Sequence, residues 1–166
     1  INTHFYLSVK RKEQLKEFCD FVNVTYQKIL AHVKTRWLSL LRVVERVVEL
    51  WPALVSYFQS HPESEKRGRV RNIKEQLNDE TKLYLLFLKF VLPTVNAFNT
   101  AFQATYYTTI HLLHADMRKL TKRVLRCFID ADSINPTDIT STPLESNQLD
   151  DNTVEVGEEA RSLAES

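Results

Sequence analysis

Hydrophobic positions between Lys34 and Phe58 recur at helical spacing. Trp37, Leu41, Val44, Val48, Trp51, Val55 and Phe58 step by four and three, and Leu40, Val47, Leu50, Leu54 and Tyr57 widen the same face. This pattern predicts a helix over 36–59 with a broad buried side. Arg42, Glu45, Arg46 and Glu49 fill the remaining strip. As i,i+3 pairs, Arg42 with Glu45 and Arg46 with Glu49 contribute only about 0.2–0.5 kcal/mol each, so their main effect is to keep one face wet and to exclude a membrane span here. Pro52 removes a helical donor and crowds the carbonyl of Val48. The helix is therefore expected to kink near Trp51, or to restart there with Pro52 in its first turn.

The flanking stretches carry related patterns. Ile1 to Leu7 is too short to place. From Ser8, an N-cap residue, Leu15, Phe18, Val22, Tyr26, Ile29 and Val33 step by three and four, which predicts a helix over 9–31. Thr35 is expected to cap the following helix across a tight corner. Ser60 to Ser64 reads as a loop, and the thin stripe Val70, Ile73, Leu77 among Lys66, Arg67, Arg69, Arg71 and Lys74 predicts a short, exposed, basic helix over 65–77. Asn78-Asp79 breaks the chain and caps a helix over 80–104, its most apolar part. Lys89, Pro93, Asn96 and Asn99 interrupt that run, so it is read as a central core helix kinked at Pro93 and not as a membrane span.

After a turn at 106–109, a last helix over 109–130 is expected to turn Ile110, Leu113, Met117, Leu120, Val124 and Phe128 inward and Arg118, Lys119, Lys122, Arg123 and Arg126 outward. Beyond Ala131 no periodicity survives. A polar segment with two prolines buries too little apolar area to offset an ordering cost of about 1–2 kcal/mol per residue, so it is expected to be disordered. The expected fold class is all-α: a mostly antiparallel bundle of four long helices and one short one over 1–131, with a disordered acidic tail over 132–166.

Composition agrees with helices. Two glycines and 43% hydrophobic residues in 166 argue against an all-β fold and allow a core, and there is no glycine-rich phosphate loop. Net charge is only +1, yet from Asp130 onward ten acids face Arg161 alone, leaving 21 bases against 11 acids before that point. A body near +10 joined to a tail near −9 suggests an anionic partner for the body or a tail that screens it.

Candidate chemistry is sparse. Cys19 and Cys127 are isolated, with neither a CxxC pair nor a secretory leader, and are read as buried thiols. His111 and His114 with Asp116 offer metal ligands on one helix face, but no further ligand is spaced to join them, so a structural or solvent-facing role is expected. No serine, cysteine or histidine lies in a nucleophile motif. Arg36 and Trp37 combine a phosphate donor with a ring that stacks on an unpaired base. Trp37 also begins the apolar row of its helix, so a core role stays open. The basic runs Lys66–Lys74 and Arg118–Arg126 suit phosphates but also read as solvated faces.

Thr35-Arg36-Trp37 followed by Leu38-Ser39 resembles the TRWLS signature of hAT-superfamily DNA transposases and their domesticated relatives. Four further segments follow the same order: Ser8-Val9-Lys10-Arg11 with Leu15-Lys16-Glu17-Phe18; Arg46 with Leu50-Trp51-Pro52-Ala53-Leu54; Tyr84-Leu85-Leu86-Phe87-Leu88 through Asn96-Ala97-Phe98 and Gln103; and Ile110-His111-Leu112-Leu113 through Phe128-Ile129. The resemblance covers about residues 6 to 130. It implies the first part of the helical insertion domain of a ribonuclease-H-like parent. It also implies that the three acids holding two divalent metal ions, magnesium in an intact parent, lie outside this chain. Together with the opening on Ile1, this reads as a segment of a longer protein that brings no cofactor and no catalytic group of its own. The resemblance further implies DNA as partner, nuclear location, and base contact at Trp37 beside Arg36. The contrasting expectation is a non-catalytic helical module for protein partners or for homo-oligomerisation.

Overall fold

The computed structural model describes residues 1–32, 38–60, 68–103, 110–135 and 137–166. The expected corner at Thr35, the loop at 61–64 and the turn at 106–109 lie outside the described residues, as do the side chains of Leu38, Arg69, Phe102, Ile110 and His111. The class is all-α. Among the described residues there is no strand, only an isolated antiparallel bridge between Ile129 and Gln148.

The seven residues too short to place from sequence form a one-turn helix, α1 (Asn2–Tyr6), which inserts His4 and Phe5 into the core. Helix α2 (Val9–Phe21) starts where expected, with Ser8 Oγ accepting from the Arg11 amide at 3.3 Å. It ends ten residues earlier than the expected 31. Asn23 adopts a positive φ of 55°, a left-handed conformation that asparagine tolerates and that stops a helix without glycine, and the Val24 amide turns back to the Cys19 carbonyl at 2.9 Å. Residues 24–32 have no regular secondary structure, yet Ile29 is buried and Val22, Val24 and Tyr26 pack partly against the core. Two side chains tie this segment down: Asn2 Nδ2 donates to the Ile29 carbonyl at 3.1 Å, and Arg46 Nη1 to the Lys28 carbonyl at 2.9 Å.

The expected helix over 36–59 is divided into α3 (Leu38–Glu49) and α4 (Trp51–Ser60). Pro52 sits in the first turn of α4, where its missing donor costs nothing. Backbone bonding continues across the join, from the Leu50 amide to Arg46 and from the Leu54 amide to Leu50. Leu50, Trp51, Ala53, Leu54, Tyr57 and Phe58 are all buried. Ala53, with no exposed surface, allows α2 and α4 to pack closely. The main cluster joins Leu50, Ala53, Leu54, Tyr57 and Phe58 to Phe5, Leu15, Cys19, Ile29 and Val70.

Val70 comes from α5 (Gly68–Gln76), the short basic helix, which lays Ile73 and the following Leu77 on the same cluster. Asn78 then serves both neighbours: its Nδ2 donates to the Glu75 carbonyl at 3.0 Å, and its Oδ1 accepts from the Thr81 amide at 2.8 Å. With Asp79 and Glu80 in its first turn, α6 (Asp79–Gln103) begins as the break-and-cap reading expects and runs through Pro93. Its position corrects the central-core expectation. Helix α6 lies on α3, outside the main cluster, and Leu86 is its one buried residue among the described residues. By length and composition, Asp79–Ala101 suffices to cross a membrane.

Helix α7 (Ile110–Leu125) also departs from expectation. Leu113 and Met117, expected inward, are 37% and 45% exposed, because α7 meets α6 over only part of its length, with the Phe87 and Phe128 rings 5.7 Å apart at the far end.

The largest correction concerns residues 132–166, expected to be disordered. The expected boundary falls inside a 3-10 turn, Ala131–Ser133, followed by two more at Ile139–Ser141 and Glu145–Asn147 and by α8 (Glu158–Ala164). Asp130 and Asp138 cap the first two turns, so the acidic and polar residues that argue for disorder satisfy backbone donors locally. Three backbone bonds sew the segment to the end of α7: Leu149 amide to Phe128, Asp130 amide to Asn147, and Glu155 amide to Cys127, at 2.8, 3.2 and 2.9 Å. Ile134 and Ala160 are buried anchors, and Lys89 Nζ meets both carboxylate oxygens of Glu159 at 2.7 and 2.8 Å.

Two substitutions check this arrangement. Leu54→Ala, at the centre of the main cluster, should lower the unfolding free energy by about 2–5 kcal/mol in urea denaturation. Gly157 has φ +86°, and an added Cβ would lie 2.9 Å from Phe90 Cβ. Gly157→Ala should therefore destabilise by about 1 kcal/mol or more and speed amide exchange in 158–164 while sparing α4.

Candidate nucleic-acid interface

The basic residues of the last long helix are set out by its pitch. Arg118, Lys119, Lys122 and Arg123 lie on α7, where helical geometry spreads them over a wide arc, and Arg126 directly follows its last residue. Lys119, Arg123 and Arg126 are exposed, whereas Arg118 and Lys122 are half-buried. Lys119 Nζ holds Asp116 Oδ1 at 3.0 Å, an exposed i,i+3 pair that exchanges readily for another anion.

The second basic run is thinner. Arg71 is engaged with Glu75 at 2.8 Å, Lys74 is exposed, and Lys66 and Arg67 lie outside the described residues. Arg36 and Trp37 also lie outside them, so the α7 residues are the described members of the sequence-derived site.

Sequence reasoning missed the acids that stand beside α7. The 3-10 turn Ile139–Ser141 packs against α7, and its cap, Asp138, is close enough to Arg118 to feel its charge. Asp138 is held below the usual carboxylate range, first by the Thr140 hydroxyl and amide bonds at 2.6 and 3.0 Å, with Arg118 adding to them. At the end of the helix, the Cys127 Sγ lies 3.9 Å from a Glu155 carboxylate oxygen. Burial raises this thiol and Glu155 raises it further, while Arg123 opposes them. The signal for such a clamp was present as alternating Asp, Ser and Thr in a chain of opposite charge to the body.

Cys19 and Cys127 are both buried and free, and burial also raises Cys19. His114 is exposed. Among the described residues no three His, Cys, Asp or Glu side chains gather into a metal-binding group. An open cleft of about 690 Å³ between α6 and α8, lined by Leu86, Phe90, Val156 and Ala160 among others, carries the Lys89–Glu159 pair. It contains no serine, cysteine or histidine in its lining.

Because its folded value is depressed, first by the Thr140 hydrogen bonds, the Asp138 carboxylate should stay charged until pH falls below the ordinary aspartate range, and its capping of the Ile139–Ser141 turn should weaken only there. An NMR titration of its side-chain carboxyl should give a midpoint below the usual one, and Thr140→Val should move that midpoint upward.

No family model matches the chain, and no curated protein or solved structure matches it, so its functional reading rests on its own residues.

Proposed function

We propose that this chain is the helical insertion-domain segment of an hAT-like transposase or a domesticated derivative, contributing DNA-end binding and scaffolding. On this reading it acts in the nucleus, carries no catalytic acid, and leaves the metal chemistry to a longer parent. The observation that carries the reading is the exposed set Lys119 and Arg123 on α7 and Arg126 directly after it, within a chain whose ordered motifs resemble that family. Arg118 and Lys122 flank these residues, and Arg36 and Trp37 add a phosphate donor and a stacking ring at the family's signature. A bilayer is the poorer partner for α6, since the Lys89–Glu159 pair and Asn96 and Asn99 fall within its apolar run.

The second reading, a helical interaction module without DNA, is favoured by the apolar residues that α7 leaves open, including Leu112 at 47% exposure.

A mobility shift across a salt series separates the two. DNA binding should weaken as salt rises. Converting Lys119, Arg123 and Arg126 together to alanine should reduce the log–log salt slope by about one unit for each phosphate no longer neutralised, roughly three in all. Trp37→Ala should weaken binding selectively to DNA with an unpaired base. No binding at low salt would leave the interaction module as the reading.

A further inference from the structure

Leu113, Met117, Leu120 and Val124 recur along α7 at steps of four, three and four, the spacing of a coiled-coil seam. The seam is not filled by the described fold. Leu113 and Met117 are well exposed, Leu120 and Val124 are half-buried, and Phe90 on the neighbouring α6 is 39% exposed. An apolar face of this kind marks an interaction surface.

The charges beside the seam indicate what covers it. With Met117 and Val124 at heptad position a, and Leu113 and Leu120 at d, Asp116 and Arg123 both fall at g. In an antiparallel pair, g of one helix faces g of the other. The register that layers Met117 on Leu120 and Leu113 on Val124 then brings Asp116 beside Arg123 of a second copy. Two-fold symmetry repeats the contact in the opposite sense.

The e positions are His114 and Thr121, so that edge adds no pair of carboxylates or lysines. Arg118, Lys119, Lys122 and Arg126 fall at b, c and f, directed away from the seam. The pair Asp116–Lys119 is an exposed contact of low value and does not hold Asp116 against a better partner. We propose that α7 pairs antiparallel with α7 of a second copy, with Asp116 and Arg123 as reciprocal ion pairs. The two α6–α7 hairpins then close into a four-helix layer that leaves the basic b, c and f positions outside. In this pair Arg123 is engaged by Asp116 of the second copy, which leaves Lys119 and Arg126 as the exposed cations outside the seam.

Sedimentation equilibrium of the full chain tests it, with circular dichroism confirming that each variant keeps its helix content. The unaltered chain should dimerise. Asp116→Arg and Arg123→Asp should each weaken the dimer by about tenfold or more, because each sets like charges face to face, and the double reversal should restore it. A chain that stays monomeric to high micromolar concentration overturns the proposal. So does a dimer indifferent to both single reversals, or one that the double reversal fails to rescue. Flotation with phosphatidylcholine–phosphatidylserine vesicles, by a chain that is monomeric without them, would assign the face to a membrane and likewise overturn it.

Discussion

The burial of Tyr57 organises the N-terminal part of this molecule. Its ring is fully enclosed and packs against His4, Phe5, Phe18 and Phe58, with ring centres 5.0 to 5.8 Å apart. A phenol placed this deep needs a partner for its hydroxyl, and His4 Nε2 lies 3.1 Å away. That requirement draws the short α1 inward, and Arg11 of α2 donates to the His4 carbonyl at 3.1 Å, fixing the corner between them. One aromatic position on α4 thus couples three helices, and the closeness allowed by Ala53 supplies the space.

Packing quality falls away from this centre. Helix α3 carries the apolar face onward to α6, but α6 offers only Leu86 as a buried residue among the described residues. Its other apolar residues are shared among α3, α8 and the far end of α7. A two-layer arrangement that ends in half-covered helices differs physically from the first cluster: the first is closed by its own chain, and the second presents surface. The tightly packed residues and the partly exposed ones therefore belong to different parts of the fold, and the basic residues of α7 lie in the more open part.

Much of the fold was legible in the sequence where a local rule and the tertiary requirement agree. Ser8 and Asn78 cap helices, Pro52 restarts one, and the double row from Val44 to Phe58 marks the buried face. The reading failed where different geometries bury the same residues. Ile29 reaches the core from irregular chain, so its spacing with Leu15 and Phe18 imitated a longer α2, and only the left-handed Asn23 reveals the stop. Leu113 and Met117 have the periodicity of a buried stripe, but periodicity does not say whether the covering element belongs to the same chain. Composition misled at residues 132–166 because it averages over a segment in which Asp130, Asp138 and Asn135 satisfy backbone donors one by one. Of the candidate site, the five basic positions on α7 were readable, and their acidic neighbours were hidden by that same averaging.

Those neighbours change what the charge distribution means. A chain near neutrality with a basic body and an acidic end invites the view that the two cancel through long-range attraction, which salt would screen beyond about 8–10 Å. The contacts are local instead: Asp138 bears on Arg118, Glu155 lies against Cys127 near the reach of Arg123, and Glu159 grips Lys89. Cancellation is therefore confined to the side of α7 and α6 that the C-terminal segment covers. Lys119, Arg123 and Arg126 remain exposed beside that segment. Exposed charges of this kind are screened by salt more strongly than the half-covered Lys89–Glu159 pair, so ionic strength acts on the two sets unequally.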